Sequence, residues 1–135
     1  MVYLTRVEHF NAAHKLHVAE WSEEKNKEMF GKCCNPYFHG HNFEIFVTIK
    51  GKPHPTTGFI MNVHDLSKII KKEVVERFDH KNLNLEIEHF KKVQPSSENF
   101  VMLIWDILKE KLNGHKLHCI KLQETDRIYV EYYGE

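Results

Sequence analysis

The clearest alternation in the chain runs from Asn42 to Lys50, where Phe43, Ile45, Val47 and Ile49 share one face while Glu44, Thr48 and Lys50 share the other. A period of two marks a strand buried on one side. Gly51-Lys52-Pro53 closes it, Pro55-Thr56-Thr57-Gly58 predicts a turn, and Phe59-Ile60-Met61-Asn62 predicts a short strand completing a hairpin. Val2 to Phe10 is a run of β-branched and aromatic residues that ends at Asn11-Ala12-Ala13-His14, which places His14 near the end of a first strand. Leu66, Ile69, Ile70, Val74 and Phe78 recur at helical spacing and predict an amphipathic helix over residues 63 to 78. Val101, Ile104, Trp105, Leu108 and Leu112 form the stripe of a second helix, from about Glu98 to Leu112, with Ser97 as its N-cap and Gly114 beyond its end. Leu117 to Gln123 and Ile128 to Tyr132, joined through Thr125-Asp126-Arg127, read as a final hairpin. Residues 17 to 41 carry no such period, apart from Ser22-Glu23-Glu24, which suits the start of a short helix through Phe30 that Gly31 would end.

This order predicts an α+β domain occupying residues 1 to 135, an antiparallel sheet with helices on one face. The opposite face then needs cover from a partner subunit or from its own polar groups.

Composition narrows the chemistry. Nineteen basic and nineteen acidic side chains are interspersed along the chain, so the basic stripe of a nucleic-acid binder is absent and no nucleic-acid partner is expected. No apolar run reaches the roughly 20 residues of a membrane span, and the first residues lack the apolar segment of a secretory signal. Three cysteines, two of them adjacent at Cys33 and Cys34, make a poor disulfide framework and suit a reducing, cytoplasmic setting. Eleven histidines are many for 135 residues, and imidazole is the commonest metal ligand.

His39-Gly40-His41 stands where the chain enters its most regular strand, and residues two apart on a strand project from the same face. If the first strand pairs with this one, His14 adds a third nitrogen, and three histidines with one open position suit catalytic zinc. On spacing alone the pair reads more readily as two surface histidines, because the pattern is short and periodicity cannot place a third ligand.

Further along, Phe10-Asn11-Ala12-Ala13-His14, Phe30-Gly31-Lys32-Cys33, His39-Gly40-His41-Asn42, Asp79-His80-Lys81-Asn82-Leu83, Ser97-Glu98-Asn99 and Glu124-Thr125 follow one another in an order that resembles the 6-pyruvoyltetrahydropterin synthase family across nearly the whole chain. The resemblance implies the tunnelling fold, or T-fold: a four-stranded antiparallel sheet with two helices on one face. It also implies an oligomeric barrel, a homohexamer built as a dimer of trimers with active sites at subunit interfaces. It implies Zn2+ on His14, His39 and His41. The implied reaction is a lyase conversion of 7,8-dihydroneopterin triphosphate to 6-pyruvoyltetrahydropterin and triphosphate, as in tetrahydrobiopterin synthesis.

The same resemblance assigns roles residue by residue. Cys33 matches the proton acceptor, which must act as thiolate, so a nearby cation or metal is expected to lower its pKa. Asp79 and His80 match a proton-relay pair, although on the residues alone they read as a solvated loop ending a helix. Glu124 matches the pterin anchor and a member of the relay; Ser97 and Glu98 match a second pterin contact, and Thr125 a support for Glu124. Two departures stand out: Cys34 where asparagine is more familiar, and Tyr37-Phe38 where a smaller polar pair usually precedes His-Gly-His. A second branch, 6-carboxytetrahydropterin synthase of deazapurine (queuosine-type) synthesis, shares the fold and zinc. The longer Cys-to-His-Gly-His segment and the Tyr133-Gly134-Glu135 ending favour the pyruvoyl branch. A non-catalytic, zinc-stabilised pterin-binding oligomer would have no need of Cys33, Asp79-His80 and Glu124 together.

Overall fold

The computed structural model describes residues 1–112 and 114–135. Two thirteen-residue strands, β1 (Val2–His14) and β2 (His39–Gly51), pair antiparallel along their whole length, from Val2 opposite Gly51 to His14 opposite His39. β4 (Lys116–Thr125) adds to the other side of β2, and β5 (Ile128–Tyr132) adds to β4 through a tight turn at Asp126-Arg127. The sheet therefore has the predicted four antiparallel strands, plus a short fifth: β3 (Lys81–Asn82) lies parallel to β1 at Ala12-Ala13, giving the order β3-β1-β2-β4-β5. A two-residue strand carries no periodicity, which is why the sequence pattern does not announce it.

Helices cover one face. Even-numbered β1 positions (Phe10, Ala12) and odd-numbered β2 positions (Phe43, Ile45, Val47, Ile49) are buried beneath them. The covering elements are α2 (Val63–Ile70), which runs on through a π-helical stretch (Lys71–Val75) into α3 (Glu76–Phe78), then α4 (Leu83–Glu86) and α5 (Ser97–Lys111). α1 (Glu23–Phe30) lies in the long connection between β1 and β2, capped by Ser22 as expected. The π stretch has a cause in the sequence. Leu66, Ile70, Val74 and Phe78 are spaced by four, which on an α-helix drifts by roughly 40° per step, and a wider turn brings them back onto one buried line.

Two expectations are corrected. Phe59 to Asn62 form no strand: the Asn62 side chain accepts from His64 N–H and caps α2, while Ile60 packs on Gly51, whose Cβ would lie 2.9 Å from Ile60 Cγ2. The segment closes the sheet's end with side chains, and the hairpin partner of β2 is β1. The cap of α5 is Ser96, whose Oγ accepts from Asn99 N–H at 3.2 Å, and Ser97 is the helix's first residue. Its hydroxyl is turned to another use, described below. Ser96→Ala is expected to lower unfolding free energy by about 1 kcal/mol with little effect on ligand affinity, and Ser97→Ala to weaken ligand affinity more than stability. Denaturant unfolding beside a binding titration separates the two.

An aromatic cluster forms the floor of the site. Phe10 stacks on Phe43 with ring centroids 5.2 Å apart, and Phe100 meets Phe43 and Phe78 edge-on at 5.6 and 4.9 Å. Such pairs are worth about 0.5–1.5 kcal/mol each beyond their burial. Phe43 also touches two of the histidines, so the core ends where the site begins.

Candidate active site

The last residue pair of the β1–β2 ladder is His14 opposite His39, with His41 one step inward on the core-facing side. The three rings lie 4.5, 4.8 and 5.1 Å apart between centroids, and one ligand nitrogen from each falls within 4.8 Å of the others. Gly40 between the two β2 histidines is not sterically required: a Cβ there would meet Ala12 O at an ordinary 3.6 Å.

His14 is 2 % exposed, and its Nδ1 lies 2.6 Å from Pro95 O. A carbonyl only accepts, so Nδ1 carries the proton and Nε2 presents a lone pair to the centre. His14 Nε2, both ring nitrogens of His39 and His41 Nε2 are buried with no hydrogen-bond partner. Leaving such atoms unpaired costs about 1–3 kcal/mol each. Burial pushes the His14 and His39 pKa values down, and charge on neighbouring histidines acts in the same direction. For His14 and His39 burial therefore favours the neutral form, which is the form that binds metal. Zinc ligands sit about 2.1 Å from the ion, so inward shifts below about 1 Å bring three nitrogens onto one ion. The donor set and its orphaned nitrogens fit zinc.

Glu124, near the end of β4, stands beside this cluster. One carboxylate oxygen lies 3.0 Å from His41 Nε2, a close contact rather than an aligned hydrogen bond, and the other accepts from Ser97 Oγ. The contact with His41 first, then the bond from Ser97, bring the Glu124 pKa down to about 2 against opposing burial. A carboxyl whose folded pKa lies below its ordinary 4.5 contributes stability that is present above 4.5 and lost as pH falls toward about 2. The stability gap between metal-free wild type and Glu124→Gln is therefore expected to shrink across that window. Chelator-treated samples followed by acid unfolding test the sign.

Cys33 lies in the 3-10 turn Gly31–Cys34, tied down by Leu16 N–H donating to its carbonyl at 2.7 Å. Burial, then the negative charge of Glu124, push its thiol pKa up. The protein's own groups therefore do not generate the expected thiolate. Cys34 Sγ donates to Gly31 O within the same turn.

Asp79 and His80 are held as a unit at the edge of the sheet. Asp79 Oδ1 accepts from Asn11 N–H at 2.9 Å, Oδ2 pairs with His80 Nδ1 at 2.9 Å, and His80 N–H donates to Asn11 O. The Asn11 N–H first, with His80 adding to it, lowers the Asp79 pKa. His80 sits in the left-handed region at φ 60° with its side chain 77 % exposed. Among the described residues, no hydrogen bond or ion pair links His80 to Cys33 or to the three histidines within one chain. Glu98 is exposed at the start of α5, and Thr125 Oγ1 accepts from Arg127 N–H in the turn after Glu124.

Sequence reasoning missed the supports. Three amide side chains grip the backbone just past His14 by both its N–H and C=O groups: Asn84 at Lys15, Gln94 at His17 and Asn26 at Val18. Neither these nor the Pro95 carbonyl leaves a signature in a spacing pattern.

Residues 3–135 match the family model described as 6-pyruvoyl tetrahydropterin synthase. The chain is 44 % identical to the 6-pyruvoyl tetrahydrobiopterin synthase of Poecilia reticulata, over 98 % of its own length and 90 % of the relative's. It is 40 % identical to the human protein of that name, over 93 % and 87 %. The structure of Caenorhabditis elegans 6-pyruvoyl tetrahydropterin synthase superposes with a TM-score of 0.91 at 34 % identity, covering 99 % of this chain and 96 % of that one. The chain belongs to the 6-pyruvoyl tetrahydropterin synthase family, and its fold is the T-fold.

Proposed function

We propose that this family member is a zinc-dependent 6-pyruvoyltetrahydropterin synthase, a lyase that converts 7,8-dihydroneopterin triphosphate to 6-pyruvoyltetrahydropterin and inorganic triphosphate. The observation that carries the reading is the set of buried, unpartnered imidazole nitrogens of His14, His39 and His41 beside an oriented carboxylate, Glu124.

His14, His39 and His41 hold the metal. Zinc bound there supplies Lewis acidity toward the substrate's side-chain hydroxyls, and positive charge that favours a Cys33 thiolate. Glu124, kept ionised with both oxygens already engaged by His41 and Ser97, is oriented to accept parallel N–H bonds from the pterin ring and its amino group. Ser97 acts through Glu124, Thr125 closes the turn behind it, and Glu98 is left free to reach the ligand. Cys33 takes up the proton of the side-chain carbon next to the ring and returns it to the adjoining ring carbon, so that carbinol is oxidised and the ring C=N bond reduced with no external reductant. Loss of the middle carbon's proton then breaks the terminal C–O bond, expels triphosphate, and leaves an enol that ketonises to the pyruvoyl group. His80, oriented by Asp79, relays the accompanying hydroxyl proton.

Since His80 faces outward at the sheet edge of its own chain with Asp79 oriented behind it, we assign the pair to the site of an adjoining subunit, within a homohexamer of two trimers. The free thiols of Cys33, Cys34 and Cys119 are in keeping with a cytoplasmic enzyme. No helix among the described residues is long and apolar enough to cross a membrane.

Release of inorganic triphosphate from 7,8-dihydroneopterin triphosphate tests the assignment. Release by zinc-loaded protein and its loss after chelation are expected; an inert zinc-loaded protein sinks the reading.

A further inference from the structure

Residues 94–96 form a strap between the 3-10 turn Glu88–Lys91 and α5, and among the described residues no backbone–backbone hydrogen bond reaches Gln94 or Pro95. Side chains hold it instead. Gln94 clamps the backbone of His17, its amide nitrogen donating to His17 C=O at 2.6 Å and its amide oxygen accepting from His17 N–H at 3.3 Å. Asn99 reaches back from the first turn of α5, and its Nδ2 donates to the Gln94 carbonyl at 3.0 Å. Next to these two grips lies buried Pro95, whose carbonyl faces His14 Nδ1 at 2.6 Å. At its far end the strap runs into Ser97, whose hydroxyl bonds Glu124.

The Asn99 side-chain bond does nothing for the helix it starts from. The first turn of a helix is short of acceptors, because its N–H groups are the ones without partners. A side chain at the third position that serves the helix accepts from the cap residue's N–H. Asn99 instead presents a donor to a carbonyl two residues before the cap, while the cap itself is Ser96 Oγ. The consequence falls on Pro95. The Gln94–Pro95 peptide is planar, so holding the Gln94 oxygen holds that plane. The proline ring then fixes φ, and Phe100 N–H holds the next carbonyl, that of Ser96, at 2.9 Å. Between two held carbonyls, and with φ locked, the Pro95 carbonyl is confined to the direction of His14.

We propose that Asn99 is a positioning residue for the metal: by holding the Gln94 carbonyl it aims Pro95 O at His14 Nδ1, which keeps the proton there and His14 Nε2 turned to the centre. The inference rests on the zinc site proposed above. A partner behind a metal-bound imidazole fixes both tautomer and ring orientation, and removing one costs roughly 10–100-fold in metal affinity. Asn99 acts one bond further out, through the strap, which puts its effect at the lower end of that range.

The test is competition between the protein and a chromophoric chelator for zinc, beside denaturant unfolding of the metal-free forms. Asn99→Ala is expected to bind zinc about tenfold more weakly than wild type. Ser96→Ala, which loses the cap of the same helix but keeps the Asn99 side chain, is expected to stay within about twofold. Asn99→Asp supplies a carboxylate that suits the helix's first turn but cannot donate to Gln94 O. It should unfold no earlier than wild type and still bind zinc about tenfold more weakly. The visible absorption of the cobalt-loaded protein, which reports ligand geometry, should shift in both Asn99 variants and not in Ser96→Ala. An Asn99→Ala zinc affinity within about twofold of wild type, an equal loss in Ser96→Ala, or an unshifted cobalt spectrum each overturn the role. Zinc affinity that depends on Asn99, in a protein that does not turn over the pterin, leaves the role standing and removes the proposed reaction instead. A wild-type protein that holds no zinc overturns both.

Discussion

Replacing Cys33 with alanine is expected to leave the protein's zinc content unchanged and to lower kcat by about a thousandfold. A positioned acid or base contributes roughly 10²–10⁴ to a rate, and a carbon-bound proton has no other acceptor in the proposed scheme. Metal binding should survive because the ligand nitrogens come from His14, His39 and His41 alone. The turn should survive as well, since what anchors it at Cys33 is the backbone carbonyl bonded to Leu16, not the thiol. Cys34→Ala is the contrast: its thiol donates to Gly31 O inside the turn, and activity within a few-fold of wild type is expected. Metal analysis beside steady-state kinetics checks both. Lost zinc in Cys33→Ala would make the thiol a ligand; retained turnover would remove it as the base.

Replacing His39 with alanine is expected to abolish stoichiometric zinc and, with it, detectable turnover, because two imidazoles cannot hold the ion that three do. The same substitution has an opposite effect on the metal-free fold. Both His39 ring nitrogens are buried without a partner, so removing them relieves an unfavourable burial of about 1–3 kcal/mol per atom. Chelated His39→Ala should therefore unfold no earlier than chelated wild type, whereas zinc should raise the wild-type midpoint and leave the variant's unmoved. A variant that is much less stable than wild type without metal would give His39 a packing role in place of a ligand role.

The parts of this fold that carry a repeating pattern were legible in the sequence. β2 alternates from Asn42 to Lys50 because one face lies under helices, and the α5 stripe from Val101 to Leu112 packs on the same core. The failures sit where another interaction competes with the period. Asn62 is drawn off to cap α2, so Phe59 to Asn62 do not pair as a strand. Ser96 takes the cap expected of Ser97, which frees Ser97 to bond Glu124 across the site. At the site, proximity of His14 to the His39 and His41 pair followed once β1 and β2 were taken as neighbours. The Pro95 carbonyl behind His14 was invisible, since a backbone acceptor has no residue type to give it away. The sheet-edge placement of Asp79 and His80 was equally unreadable, because it depends on backbone bonds to Asn11, 68 positions away from Asp79.

The most direct test of the account is mass spectrometry of the pterin formed when zinc-loaded protein meets 7,8-dihydroneopterin triphosphate. A product that keeps all three side-chain carbons as a pyruvoyl group is the predicted result. A carboxylated pterin with released acetaldehyde would place the chain in the deazapurine branch of the family and contradict the account.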